Sequence, residues 1–471
     1  MADLIIEGGV VITMDPARRV IPDGAVAVAA GRIVAVGPRH QVSAAHRDTA
    51  ARVDARGKAI LPGLIDGHAH AGHGLVKTLG NGDSEAWMEA CRVIYTLASP
   101  PSFWRAEAAL AAAERLRFGV TTGVSLLGGG DSVMRSDDPA FADAHCEAVR
   151  EVGVRSIVAL GPTRPPHPRP YVGVDGVERP IPFERQLDTL QAVIRRWHGK
   201  DGIRIAGLTP VHRMEHGGDP SLAREVERQA RATIALVRQH GCLFHQDGHR
   251  KGSIETARLF GLVGEDVFFS HCTDLTEGDI RVLEETGTRV VHNPSAIASV
   301  RGVCSAVELL ERGVRVFLGS DATAPDRSAD MFRHMFQFIR YHQRRFKDET
   351  LLPPGKALEM CTIEAAEALG LAAEIGSLEP GKRADVITVD LSAPHMAPAN
   401  MPVSRVVYFA NGHDVRDVVV EGRVLMRDGA SSHISVPEIV AEAERETAKM
   451  LKATGMEGLV AEDPGWGLVR R

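Results

Sequence analysis

"LPGLIDGHAHAGHG", Leu61 to Gly74, closes a short apolar run with three histidines, His68, His70 and His73. Side chains of a strand alternate with period two, so a His-x-His pair at a strand end aims both imidazoles to one face. Further apolar runs of strand length follow it, separated by helical stretches: "VTTGVSLL" (120–127), "RSIVALG" (155–161), "IRIAGLTP" (203–210), "CLFHQDG" (242–248), "VFFSHC" (267–272), "TRVVHNP" (288–294) and "VRVFLGSDA" (314–322). With "GLIDGHAH" (63–70) they make eight βα units, which read as a closed parallel barrel. The polar residues His68, His70, His245, Asp247, His271, His292 and Asp321 fall at the C-terminal ends of these runs, where such barrels build active sites.

The flanks have another texture. Short β-type runs with turn signals fill the first part, "LIIEGGVVITM", "GAVAVAAGRIVAVG" and "ARVDARGKAIL", and return near the end in "GSLEPGKRADVITVDL" and "VRDVVVEGRVLMRDG". The two ends are therefore predicted to pair into one small β-sandwich domain, residues 1–59 and 376–471, around a barrel of residues 60–375. Val436 to Lys452 has helical periodicity and many charges, and is predicted to be a solvated closing helix.

Composition limits the function classes. The 471 residues are 44% hydrophobic and 25% charged, a globular profile, and the net charge of -6 comes with no basic run. A nucleic-acid partner is not expected, and a small-molecule substrate is. Cys91, Cys146, Cys242, Cys272, Cys304 and Cys361 form no CxxC pair, which suits the reducing cytoplasm. The start "MADLIIEGGVVITMD" carries no basic lead, and no apolar run approaches the ~18 residues of a membrane span, so no membrane partner is expected.

Two histidines on the first strand, His245 on the fifth and Asp321 on the eighth converge on the barrel mouth. Three imidazoles and a carboxylate suit a divalent zinc- or iron-like ion. His73 lies past the strand end and reads as a loop histidine near the entrance; His292, before Asn293-Pro294, supports the site or touches substrate. Trp87, in the long segment after strand one with Met88 and Trp104, is a candidate pocket wall. In "GPTRPPHPRPYVG", Arg164, His167, Arg169 and Tyr171 stand in a proline-stiffened loop on the same face.

"PGLIDGHAH", "FGVTT", "FHQDG", "SHC", "HNPSA", "LGSDA" and "IGSLEPGKRADVITVD" resemble the amidohydrolase superfamily, in particular its cytosine deaminase-like and triazine hydrolase-like branch. The resemblance implies a distorted (β/α)8 barrel with one divalent metal held by His68, His70, His245 and Asp321: zinc first, with iron, cobalt or manganese as alternatives. The fourth strand ends without the lysine that bridges two metals in other branches, so one ion is expected. The resemblance also implies Asp321 as general base toward a water whose pKa the ion lowers to ~7. His271 is implied as hydrogen-bond donor to the group under attack. Homodimers or larger assemblies are implied as well.

One position departs from the pattern. Deaminases of this branch carry a glutamate three residues after the fifth-strand histidine, and this chain reads His245-Gln246-Asp247-Gly248-His249. A heterocyclic C=N needs protonation before water adds, whereas an amide, urea or carbamate carbonyl is polarised directly. The expectation is therefore a hydrolase of such non-peptide carbon–nitrogen bonds. The alternative is an aminohydrolase of a purine, pyrimidine or triazine-like ring in which Asp247 or His249 replaces the glutamate. A non-catalytic scaffold has no need of the full set His68, His70, His245, His271 and Asp321.

Overall fold

The computed structural model describes residues 2–79, 84–212, 220–298, 300, 302–321, 327–460, 465–467 and 469. Eight parallel strands form a nearly closed barrel: β1 (Leu64–Asp66), β2 (Val120–Leu127), β3 (Arg155–Leu160), β4 (Ile203–Leu208), β5 (Leu243–Gln246), β6 (Val267–Ser270), β7 (Arg289–His292) and β8 (Val316–Leu318). Each pairs with the next in chain order, and helices such as Pro139–Val152 and Phe183–Trp197 carry the chain back between them. The interior is filled by side chains, among them Ile65, Val124, Ile157, Ala206, Phe268, Val291 and Phe317.

Several runs outlast their strands. β5 stops at Gln246, β6 at Ser270 and β8 at Leu318, so Asp247, His271 and Asp321 stand on the loops just beyond. Between β1 and β8 the barrel closes by single bonds: the Gly67 N–H donates to Leu318 O at 2.9 Å and the Asp321 N–H to His68 O at 2.7 Å. The buried Asp66 carboxylate fastens the same seam, accepting the Ser320 N–H and hydroxyl at 2.8 Å each and Arg115 at 3.1 Å. A buried carboxylate is tolerated only when it is bonded this fully.

The two ends of the chain build one nine-stranded sheet, joined where Lys58–Pro62 runs antiparallel to Val386–Asp390. The sheet folds back on itself: the Ala384 N–H donates to Gly31 O at 2.9 Å and the Gly381 N–H to Ile33 O at 2.8 Å. Leu4, Val26, Val53, Ile60, Val386 and Val419 share its buried cluster. The closing helix, Val436–Thr454, is not simply solvated. It buries Ala443, Glu446, Met450 and Leu451, and Glu446 accepts the Ser102 hydroxyl from the helix Pro101–Arg117 at 2.9 Å. Its many charges concealed a narrow apolar stripe. No described helix is long and apolar enough to cross a membrane.

Gly319 lies where the seam is tightest. A Cβ there would stand 2.5 Å from Asn293 Oδ1, 2.8 Å from His68 N and 2.9 Å from His68 Cβ. Gly319→Ala is expected to cost about 1–3 kcal/mol of stability by overpacking and to displace His68. A denaturant midpoint equal to that of the unmodified protein contradicts the close seam.

Candidate metal centre

Six side chains meet at the C-terminal mouth of the barrel: His68, His70, His245, Asp247, His271 and Asp321. The Nε2 atoms of His68, His70 and His271 lie 3.4, 3.3 and 3.3 Å from oxygens of Asp247. The same three atoms lie 3.5, 3.3 and 3.9 Å from Asp321 Oδ1, so each imidazole faces both carboxylates. His245 Nε2 is 3.0 Å from His68 Nδ1. Two overlapping groups, His68 with His271 and Asp321 and His68 with His245 and Asp247, keep their ligand atoms within 4.8 Å of one another.

Backbone geometry explains the convergence. Alternation along β5 turns His245 and Asp247 inward while Gln246 donates sideways to Thr209 Oγ1 and Pro210 O at 3.1 and 2.7 Å. Alternation fails for the other two: His271 and Asp321 have φ of +65° and +68°, a left-handed conformation that costs a non-glycine residue energy and is typical of functional positions. His70 Nδ1 lies 2.7 Å from Gly128 O and His245 Nδ1 2.8 Å from Phe268 O. Protonation at Nδ1 toward those carbonyls leaves Nε2 as the inward lone pair, the orientation of a metal-binding imidazole.

The donors fit a cation on their own chemistry. His68 Nε2 is buried with no hydrogen-bond partner among the described residues. Burial alone disfavours charge on every group here. Burial would lower the His70 pKa, but its bonds to Asp247 and Asp321 prevail and push it up to about 10, so positive charge, whether of a proton or of a cation competing for the same Nε2 lone pair, is favoured at this atom. Burial would raise both carboxyls, yet the neighbouring histidines hold Asp247 and Asp321 well below the usual carboxylate range. Burial, with its charged neighbours, keeps His245 far below the ordinary histidine value and therefore neutral.

The surrounding residues sort differently from the sequence expectation. His73 is no entrance residue: it is buried, stacked parallel on His70 with ring centroids 4.7 Å apart, and its Nδ1 is 2.7 Å from the Tyr95 hydroxyl. Trp87 packs edge-on against His73 at 4.7 Å, with its indole N–H unpartnered among the described residues. His292 lies 3.3 Å from His342 and lines a small pocket with His271, Thr273, Asn293, Cys304 and Tyr341. Among the described residues His249 turns away from the six, contrary to the expectation that it could replace the glutamate. Its Nδ1 is 2.8 Å from Ser253 Oγ and its Nε2 3.3 Å from Gln246 Oε1, and the ring lies against Phe269. Arg164 spans two loops, donating to Asp131 at 2.9 Å and to Val211 O at 2.9 Å.

Sequence reading missed Ser270, Asn293 and Arg327. Ser270 donates to Asp247, Asn293 Nδ2 is 3.4 Å from His271 Nε2, and Arg327 lies 3.7 Å from Asp321. Adjacency to His271 and His292 was the available signal for the first two.

The amidohydrolase family model matches residues 221–425. The chain is 33% identical over 463 residues to a 5-methylthioadenosine/S-adenosylhomocysteine deaminase of Syntrophobacter fumaroxidans, covering 96% of this chain and 99% of that one. It is 31% identical to a 5'-deoxyadenosine deaminase of Methanosarcina mazei, with 96% and 99% covered. Among solved structures, a zinc-bound adenosine deaminase from Xanthomonas campestris superposes with a TM-score of 0.81 at 25% identity, covering 96% and 99%. A zinc complex of atrazine chlorohydrolase from Arthrobacter aurescens shares the fold at a TM-score of 0.78 and 20% identity, covering 94% and 100%.

Glu107 supports the site from below. It is fully buried on the helix Pro101–Arg117, and its Oε1 accepts the Gly74 N–H at 3.2 Å, holding the loop that carries His73. Burial pushes its carboxyl from 4.5 up to about 7, against the opposing pull of the Gly72 and Gly74 N–H groups. The folded state thus holds this proton more tightly than the unfolded chain, and stability falls as pH rises between those two values. Glu107→Gln keeps an acceptor and does not titrate. It is expected to gain on the unmodified protein across that window by at most about 3 kcal/mol in denaturant unfolding; a difference independent of pH contradicts the assignment.

Proposed function

Since the chain belongs to the amidohydrolase family and is a hydrolase of non-peptide carbon–nitrogen bonds, we propose that it releases ammonia from an amino-substituted heterocycle of the adenine-nucleoside kind. The observation that carries this reading is the second carboxylate: Asp247 faces His70 and His271 at 3.3 Å each, beside Asp321. Water addition to a ring carbon consumes one proton acceptor, and protonation of the ring nitrogen and departing amine needs a donor. Two carboxylates can divide that work. The naming of full-length relatives as adenosine-type deaminases supports the same choice.

In this proposal His68, His70, His245 and Asp321 hold one divalent cation, zinc by analogy with the zinc-bound neighbours. When bound, the ion supplies Lewis acidity and makes water a nucleophile near neutral pH. Asp321 takes a proton from the attacking water. His271, whose Nε2 faces both carboxylates at the centre, donates a hydrogen bond to the ring atom that gains charge. Asp247, ionised before the reaction, takes one proton of the water and hands it to the ring nitrogen, in place of the glutamate absent at Gly248, and the proton taken by Asp321 leaves with the amine as ammonia. His292 and Trp87 shape the walls, and the substrate carbon that lost ammonia keeps the oxygen of water. The six cysteines are all unpaired and buried, in keeping with work in the cytoplasm, and association as a dimer or larger oligomer completes the proposal.

Hydrolysis of an amide, urea or carbamate is the second reading, favoured by Gly248 itself. A panel of adenine nucleosides, aminotriazines, amides, ureas and carbamates, assayed with metal-loaded protein, separates the two. Ammonia from a heterocycle is the expected result, and turnover confined to carbonyl substrates overturns deamination. Asp321→Asn is expected to remain folded and to lose activity by about 10²–10⁴-fold; near-normal turnover removes Asp321 as the base.

A further inference from the structure

Ser270 ends β6 and is fully buried. Its hydroxyl donates to Asp247 Oδ1 and accepts the Gly248 N–H at 3.0 Å, so both capacities of the group are used on the segment after β5. The main chain continues the same pairing beyond the barrel. The His249 N–H donates to Ser270 O at 3.2 Å, the Thr273 N–H to His249 O at 3.0 Å and the Lys251 N–H to Thr273 O at 3.1 Å. Asp247 and His271 therefore ride on one stitched frame.

Gly248 turns the chain at φ +90°, a conformation that L side chains rarely adopt, and no described atom lies within 4 Å of the place a Cβ would take. A side chain at 248 would be strained, whereas Asp247, one residue earlier, is gripped and faces the imidazoles. We infer that Ser270 is a positioning residue: by holding Asp247 Oδ1 and the Gly248 N–H together, it aims the carboxylate at His70 and His271 and moves the acid of this site from position 248 to position 247. The consequence for turnover rests on the deamination reading. The orientation itself rests on geometry alone.

The test combines crystal structures of metal-loaded wild-type and S270A protein with kcat and KM of S270A, S270T, D247N and S270A/D247N. Turnover is read as ammonia from whichever of 5′-deoxyadenosine, 5′-methylthioadenosine and S-adenosylhomocysteine reacts fastest. In S270A the Asp247 carboxylate is expected to turn away from His70 and His271. Its kcat is expected to fall about tenfold or more, the loss of one charge-assisted hydrogen bond, with KM nearly unchanged. S270T restores the rate, and S270A adds nothing in the D247N background, because the two residues act as one unit. A carboxylate that keeps its wild-type place in S270A, or an S270A effect undiminished in the D247N background, overturns the inference. Absence of ammonia from all three nucleosides would instead count against the deamination reading, and the S270A crystal structure would still decide the role of Ser270.

Discussion

The structure depends on one constraint: two carboxylates and four imidazoles are buried together where the barrel closes on itself. Removing that many ionisable groups from water is costly, and each survives only through the others and through bonds to the backbone. Because Asp321 donates its N–H to His68 O, the first and last strands cannot part without pulling the donor set apart. Asp66 and Arg115 reinforce the same seam from beneath, so fold stability and site geometry share their contacts.

The barrel was legible because parallel strands buried on both faces leave continuous apolar runs, and the split sheet because its β-texture recurs at both ends. Histidines His68, His70 and His245 were legible from strand-end position alone. The site also contains what period-two reasoning cannot supply. His271 and Asp321 were named from the same strand-end position, but they reach the centre through left-handed backbone conformations, which nothing in a non-glycine residue announces. His249 was misplaced for the complementary reason: the turn at Gly248 breaks the alternation, and the ring goes to Ser253 and Gln246. The depth of His73 depends on Tyr95 and Trp87, from a helical segment that no local pattern ties to it.

Gly248 changes meaning once the geometry is known. In the sequence it marks a missing acid; in the structure it is the bend that lets the preceding aspartate face the imidazoles. A carboxylate displaced by one residue keeps its charge and approximate reach but gains a serine partner from the next strand. Proton transfer depends on the location of the carboxylate and only indirectly on the position that encodes it. In the proposed mechanism this reconciles the full-length similarity to proteins named as deaminases with the glycine at position 248. The substrate is set by the surrounding loops, which vary independently of the barrel.

In the proposed function this buried constellation holds a cation. The most direct measurement is elemental analysis of the purified chain beside its His68→Ala variant. About one divalent metal ion per chain is expected in the unmodified protein and a large loss in the variant, whose missing imidazole lies between both carboxylates and His245. A chain that is isolated without metal and takes up none from excess zinc, iron, cobalt or manganese contradicts it.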